Sequence, residues 1–289
     1  MQKPLEPHDD GNFIAVLSPP STPPLLRSAQ SSPRGYSPHR GCVAQVEENR
    51  ALERRVRCLG RGAVIETAGR KGYKGVGMEG WTARWYARTR LNEIDDFRHE
   101  AKKVAEKLRP ECDVLEVAPG PGYFSIELAK LGIFHITGLD ISRTFIEIAS
   151  QNARTAGVKI AFRLGNASAM PFPDESFDFV YCSAAFKNFS EPVEAMNEMY
   201  RVLRPGGRAL ICDLRKDVSL EEIRSYIRQS GRSWFDAWLT KMAFQHMLIK
   251  RAYTMDDFER MASQSKCRTC QIQTVPFGLE VHFSKPLGS

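Results

Sequence analysis

Three residues have types and a spacing that could bind a nucleotide: Gly120, Gly122 and Asp140. The stretch Ala118–Gly122 cannot continue a strand, because its two prolines lack the amide donor and its glycines permit positive φ. Glycines at such a turn let the backbone approach a ligand closely, and a following helix offers free amides at its N-terminus. Asp140 comes about 20 residues later, where a carboxylate is placed to accept hydrogen bonds from ribose hydroxyls.

The elements that must position these residues are a strand, a turn, a helix and a second strand. The largely apolar run Cys112–Val117 is typical of a buried parallel strand. Phe124–Lys130 has the composition of a helix, and His135–Leu139 predicts a second strand that ends at Asp140. This order of elements predicts a ligand site at the carboxyl edge of a parallel sheet.

Three features count against a dinucleotide at this turn. Ser125 occupies the third position of the G-x-G-x-x-G fingerprint, where Gly or Ala is expected. Two prolines stiffen the loop, and the carboxylate of Glu116 would repel a pyrophosphate. The same carboxylate suits a ligand with a cationic end, such as the amino group of a methionine moiety.

The stretch Glu116–Gly122 resembles the first motif of the class I S-adenosylmethionine-dependent methyltransferases, which has the form acidic-x-G-x-G-x-G. Ala118 replaces the first glycine, a change of one small residue for another. From Glu116 to Asp213 the chain is similar to the ubiquinone/menaquinone C-methyltransferase-like branch of this class. The other residues that carry the resemblance are Gly165–Ala167, Met170–Asp174, Phe177-Asp178, Ser183–Asn188 and Arg201–Gly207.

The resemblance implies S-adenosyl-L-methionine as the cofactor and gives roles to particular residues. Asp140 is expected to bind the ribose, Asn166 with Ala167 to read the adenine, and Ser183 to lie beside the methionine end. An amide side chain can match an adenine edge, and the tip of the fourth strand faces the same crevice. The predicted cofactor site also includes Glu116, Gly120, Gly122 and Ile141.

The alternation of strands and helices predicts an α/β fold with a doubly wound, Rossmann-like sheet and helices on both faces. We expect seven strands in the order 3-2-1-4-5-7-6, with the last strand antiparallel to its neighbours. Beyond the first two strands, the predicted strands are Lys159–Leu164, Phe177–Cys182, Arg208–Leu214, Cys270–Val275 and Leu279–Phe283.

Composition divides the 289-residue chain into two parts. Residues 1–77 hold twelve Lys/Arg against seven Asp/Glu, so this segment carries five of the seven net positive charges. Its first 41 residues are rich in Pro and Ser, which predicts disorder and dispensability for cofactor binding. Residues 78–289 are the expected methyltransferase domain, with lid helices at about 78–108 and 218–262. Since this domain carries little net charge, no nucleic-acid partner is expected.

Cysteine usage and hydropathy indicate a cytoplasmic protein. The chain has no run of 18 apolar residues, so no membrane span is expected, and no secretory signal is recognised. Its seven scattered cysteines suit a reducing compartment. The pair Cys267-x-x-Cys270 lacks a second pair or histidines at zinc spacing. We therefore predict no metal site, and a strand that carries both thiols.

The expected reaction is direct methyl transfer to a small, apolar or aromatic acceptor. Tyr86 and His246 are candidates for a general base, which is needed only if the acceptor must lose a proton. For His246 a core or surface position is the alternative. Trp81 and Trp85 lie one helical turn apart, so they either pack on the domain or form a lid over the substrate.

Three other functions stay open on the sequence. A nicotinamide-dependent oxidoreductase would share Asp140 but is disfavoured by Ser125 and the paired prolines. A nucleic-acid methyltransferase would often show an Asn/Asp-Pro-Pro-aromatic motif after the fourth strand, where this chain has Ser183–Phe186. A non-catalytic S-adenosylmethionine-binding protein would look the same, because few catalytic groups are visible.

Overall fold

A computed structural model of the protein describes residues 72–74, 77–219, 221–222 and 249–287. The predicted disorder of residues 1–41 lies outside these ranges, as does His246. The predicted lid segment 218–262 is described only at its two ends.

The described chain forms six bounded α-helices and seven strands. The helices are α1 (Gly80–Arg90), α2 (Ile94–Ala105), α3 (Tyr123–Ala129), α4 (Arg143–Thr155), α5 (Pro192–Val202) and α6 (Met255–Gln264). The strands are β1 (Asp113–Val117), β2 (His135–Asp140), β3 (Ala161–Leu164), β4 (Phe177–Ser183), β5 (Leu203–Leu214), β6 (Gln271–Val275) and β7 (Gly278–Ser284). Short 3-10 helices cover Leu91–Glu93, Phe186–Asn188 and Ile249–Arg251.

All seven strands form one sheet in the order β3-β2-β1-β4-β5-β7-β6. The first five strands pair in parallel, whereas β7 runs antiparallel to both β5 and β6. The predicted fold and strand order are confirmed. Because β2, β1 and β4 are neighbouring parallel strands, the ends of these strands meet at one edge of the sheet.

Apolar side chains alternate between the two faces of the sheet, as strand geometry requires. Leu115 of β1 belongs to one buried cluster with Met196 of α5 and Phe258 of α6. Val114, the preceding residue, belongs to a second cluster that packs under α2 and α3. Helices therefore cover both faces, which fixes the position of β1 and of the turn that follows it.

Two local predictions are wrong. β5 begins at Leu203 and not at Arg208, because Leu203 already pairs with Phe177 before a register shift in β4. β6 begins at Gln271, so the expected strand carrying both thiols does not form. Cys267 instead lies in the turn after α6, with its Sγ 2.9 Å from the Oγ of Ser265.

Candidate functional site

The turn after β1 is built from residues in the left-handed region of backbone space. Ala118, Gly120 and Gly122 have φ values of 59°, 53° and 80°. A Cβ on Gly122 would lie 2.9 Å from the Cβ of Ala149, so only glycine fits this close approach of α3 and α4. Ala118 has no such freedom, and a left-handed alanine costs roughly 1–2 kcal/mol relative to its preferred conformations.

Asp140 ties this turn to the end of β2. Its Oδ2 accepts a hydrogen bond from the Gly120 amide at 3.0 Å, and its Oδ1 accepts one from the Ser142 amide at 2.8 Å. Burial raises the pKa of this carboxyl to about 6, while the two amide hydrogen bonds oppose the rise. Each oxygen keeps a lone pair for a further donor, as binding of a ribose would require.

Glu116 lies beneath the turn, with its carboxyl buried on the α3 side of β1. The Oγ of Ser125 donates a hydrogen bond to this carboxyl. In the dinucleotide fingerprint the same position is a glycine that allows close helix–strand packing, so Ser125 has a different role here. Burial raises the pKa of Glu116 to about 8; the Ser125 hydrogen bond opposes this, and the charge of Glu100 adds to it. The ligand-free carboxyl is therefore largely protonated at neutral pH, and a cation beside it would lower its pKa.

The residues expected to read adenine lie beyond the carboxyl ends of β2 and β3. Asn166 and Ala167 follow β3, and the Asn166 Oδ1 accepts a hydrogen bond from the Ser168 amide at 3.0 Å. A Cβ on Gly72 would lie 2.6 Å from the Cδ1 of Ile141 and 2.8 Å from the Nδ2 of Asn166. Ile141 and Asn166, two residues of the predicted cofactor site, thus meet beneath Gly72, a neighbour that the sequence did not indicate.

A buried ion pair holds the loop after β4, beside Ser183. The side chains of Lys187 and Asp213 are 4% and 1% exposed, and Nζ lies 2.7 Å from Oδ1. Lys187 also donates from its amide to Asp213 Oδ2 at 2.7 Å and from Nζ to the Ala184 carbonyl at 2.5 Å. The backbone of Ala184 lies in the left-handed region, with φ of 55°, which is unfavourable for alanine. The ion pair therefore holds the loop in a conformation that its sequence alone would not favour. Sequence reasoning missed this pair; its signal was Asp213 near the end of apolar β5 together with Lys187 in the loop after β4.

Tyr86 lies on the side of α1 that faces α4. Its ring packs edge-on against Phe145, with centroids 5.9 Å apart. Burial raises the pKa of its hydroxyl; Arg90 opposes the rise, and the carboxylates of Asp140 and Asp213 add to it. Tyr86 is therefore within electrostatic reach of carboxylates at the ends of β2 and β5.

Residues 72–74 cross the same region and were not predicted to contribute. The Lys74 amide donates to the Asn188 carbonyl at 2.7 Å, just beyond the β4 loop. The Lys74 Nζ donates to the Tyr253 hydroxyl at 2.8 Å, and Arg251 Nη1 donates to the Lys74 carbonyl at 3.0 Å. Tyr73 forms a bridge to Phe189. The segment thus joins the β4 loop to the chain before α6.

The family model that matches this chain is described as "Methyltransferase domain", and it covers residues 115–211. Over residues 115–211 the chain is similar to this methyltransferase family. The matched range contains the turn, Asp140, Asn166 and Ser183. The recognition of a class I, S-adenosylmethionine-dependent methyltransferase domain is confirmed.

The chain matches curated relatives over only part of their length. A demethylmenaquinone methyltransferase of Deinococcus radiodurans is 40% identical over 107 residues, which is 37% of this chain and 44% of that protein. The uncharacterized methyltransferase YcgJ of Bacillus subtilis is 32% identical over 157 residues, or 50% of this chain and 61% of that protein. The chain therefore spans about half the length of these relatives.

Solved structures share the fold at low identity. A putative S-adenosyl-L-methionine-dependent methyltransferase of Methanococcus maripaludis has a TM-score of 0.58 at 18% identity, covering 76% of this chain and 99% of that one. The plantazolicin methyltransferase BpumL has a TM-score of 0.54 at 15% identity, covering 71% of this chain and 89% of that one.

Within the described ranges, no helix combines the length and apolar character needed to cross a bilayer.

Proposed function

We propose that the protein catalyses methyl transfer from S-adenosylmethionine to a small acceptor. The observation that carries this proposal is the Asp140 carboxylate, which bridges the glycine turn and α4 inside the matched methyltransferase domain. That bridge leaves acceptor positions at the place where a ribose would lie.

The proposed cofactor site follows the carboxyl edge of β1, β2, β3 and β4. Asp140 would hold the ribose hydroxyls, with Ile141, Asn166 and Ala167 around the adenine. Glu116, Gly120, Gly122 and Ser183 would line the methionine end. A bound ammonium group would lower the pKa of Glu116, so that its buried carboxylate becomes a charged partner.

When bound, S-adenosylmethionine supplies an activated methyl group, so the chain need not activate it. The residues of this chain orient the acceptor and exclude water from the crevice. Tyr86 is a candidate for contact with the acceptor. Because its pKa is raised above the ordinary value for tyrosine, it keeps its proton at neutral pH and would donate a hydrogen bond to the acceptor.

The acceptor that suits this site is aromatic and carries an ionisable oxygen. Tyr73 pairs with Phe189 and the Tyr253 ring packs on Phe186, so both lie by the β4 loop, while the Tyr86 ring packs on Phe145 of α4. Lys74 and Arg251 form no ion pair with any residue in the described ranges, so they can attract a negative oxygen. A quinone-type ring with a hydroxyl fits this chemistry, and several curated relatives are named demethylmenaquinone methyltransferases.

The proposal is tested by two measurements on the full chain. Calorimetry should show binding of S-adenosylhomocysteine and no binding of nicotinamide cofactors. A labelled methyl group should then pass from S-adenosylmethionine to a small molecule in a cell extract. Preferential binding of a nicotinamide cofactor would contradict the proposal, whereas S-adenosylhomocysteine binding without any methyl transfer would favour the non-catalytic alternative.

A further inference from the structure

The outward face of α1 carries two tryptophans and two arginines in one stripe. Arg84, Trp85 and Arg88 come three, four and seven residues after Trp81, which places the four side chains on one side of a helix. Trp81 is 72% exposed and Trp85 is 50% exposed, and both arginines are exposed. Neither tryptophan therefore packs on the domain as one of the sequence interpretations required.

The opposite face of α1 already makes the contacts that hold this helix on the domain. Ala83 and Ala87 are buried there. The Tyr123 hydroxyl donates to the Ala87 carbonyl at 2.9 Å, and the Gly80 amide donates to Thr144 Oγ1 at 2.9 Å. Because the inner face fixes α1, the exposed stripe has no part in the packing of the described fold.

The charge of this stripe has no acidic partner among the residues that the structure describes. α1 contains no acidic residue, and neither Arg84 nor Arg88 forms an ion pair within the described part of the chain. On the neighbouring α2, by contrast, Arg98 pairs with Asp95 and Glu127. The stripe therefore offers indole rings and exposed guanidinium groups together, and its complement is a surface both apolar and anionic.

We propose that the outer face of α1 docks on a membrane surface that contains anionic lipids. Tryptophan rings favour the headgroup level of a bilayer, and arginines attract lipid phosphates while their stems cover apolar surface. With 11 residues, α1 would lie in the plane of the interface and not cross it. Two aromatic anchors and two cations give weak, reversible attachment. This role is independent of the methyl-transfer activity proposed above.

The experiment measures binding of the full chain to vesicles by co-sedimentation and by the shift of tryptophan emission. One set contains phosphatidylcholine alone, and the other contains phosphatidylcholine with phosphatidylglycerol. We expect binding to the anionic set and a shift of emission to shorter wavelength. Replacing both arginines (Arg84→Gln, Arg88→Gln) should weaken binding by roughly fivefold for each charge removed. Replacing both tryptophans (Trp81→Ala, Trp85→Ala) should abolish the emission shift.

Matched control variants remove two positive charges, or two exposed apolar side chains, at positions outside α1. Lys102→Gln with Lys103→Gln removes two charges from α2, and Leu131→Ala with Ile133→Ala removes two exposed apolar side chains. Both should bind vesicles as the parent does, and circular dichroism should show that every variant is folded. Absence of binding to anionic vesicles overturns the proposal, as would contact of α1 with another protein or with residues 1–71 in place of lipid. Equal losses in the α1 and control variants also overturn it, because binding would then follow overall surface composition, and no loss in either would assign binding to another segment such as the basic residues 1–77.

Discussion

At the scale of single residues, Asp140 is the side chain whose loss should weaken cofactor binding most. Asp140→Asn keeps the size but replaces one acceptor oxygen by a donor, which must then face an amide or a ribose hydroxyl. Charge-assisted hydrogen bonds contribute roughly 1.5–3 kcal/mol, so affinity for S-adenosylhomocysteine should fall about 10- to 100-fold. Calorimetry measures this, with Cys270→Ala as the control. An unchanged affinity for Asp140→Asn would mean that the carboxylate holds only the turn.

Glu116 gives a pH dependence with a definite sign. Its folded pKa, about 8, lies above the ordinary value for an unfolded glutamate, so the ligand-free folded state holds the extra proton. The contribution of Glu116 to the free energy of unfolding should therefore be fully present below the unfolded pKa and fall as pH rises from that value to about 8. Glu116→Gln lacks this contribution. Denaturation curves of both proteins across that range test the expectation, and parallel pH profiles would contradict it.

The Lys187–Asp213 pair should be costly to break and much less costly to replace. Lys187→Met leaves a buried, unpaired carboxylate, which destabilises by roughly 3–5 kcal/mol. The double variant with Asp213→Leu removes both charges and should recover most of that loss. Urea denaturation measures the three free energies of unfolding. A double variant no more stable than Lys187→Met would show that the loop needs the charges themselves.

At the scale of elements, Gly122 decides how closely α3 and α4 approach. Gly122→Ala meets the Cβ of Ala149 at 2.9 Å in addition to the cost of a left-handed alanine. Gly157 has φ of 70° and open space around its missing Cβ, so Gly157→Ala measures the backbone cost alone. That cost is roughly 1–2 kcal/mol, and Gly122→Ala should exceed it by at least about 1 kcal/mol. Equal losses of stability in thermal unfolding would exclude the steric explanation.

The predictable parts of this fold are those with local signals. The glycine turn, the tip of β2 at Asp140 and the order of the strands follow from residues close in sequence or from general connection rules. The early start of β5 was missed because it depends on pairing with Phe177 across a register shift. The hydrogen bond from Lys74 to Tyr253 joins positions 179 residues apart, and no local sequence pattern predicts such a contact.

At the scale of the whole molecule, residues 72–74 complete the site from outside the matched domain. Gly72 lies over Ile141 and Asn166, and Lys74 holds Asn188 and Tyr253. The sequence predicts that residues 1–41 are dispensable for cofactor binding. The contacts of residues 72–74 indicate where a shortened chain should begin. A chain that begins at Lys71 keeps these contacts, and a chain that begins at Met78 loses them.

The chain beginning at Met78 still keeps the start of α4 in place. Glu79 accepts hydrogen bonds from the Arg143 and Thr144 amides, at 2.9 and 3.0 Å, and Ser142 Oγ donates to the Met78 carbonyl. Folding should therefore survive both deletions, and circular dichroism checks it. Affinity for S-adenosylhomocysteine should stay within about tenfold, or 1.4 kcal/mol, in the chain from Lys71, and fall further in the chain from Met78. Equal affinity in the two shortened chains would show that residues 72–74 do not cover the cofactor. A large loss already in the chain from Lys71 would show that the N-terminal segment itself contributes to binding.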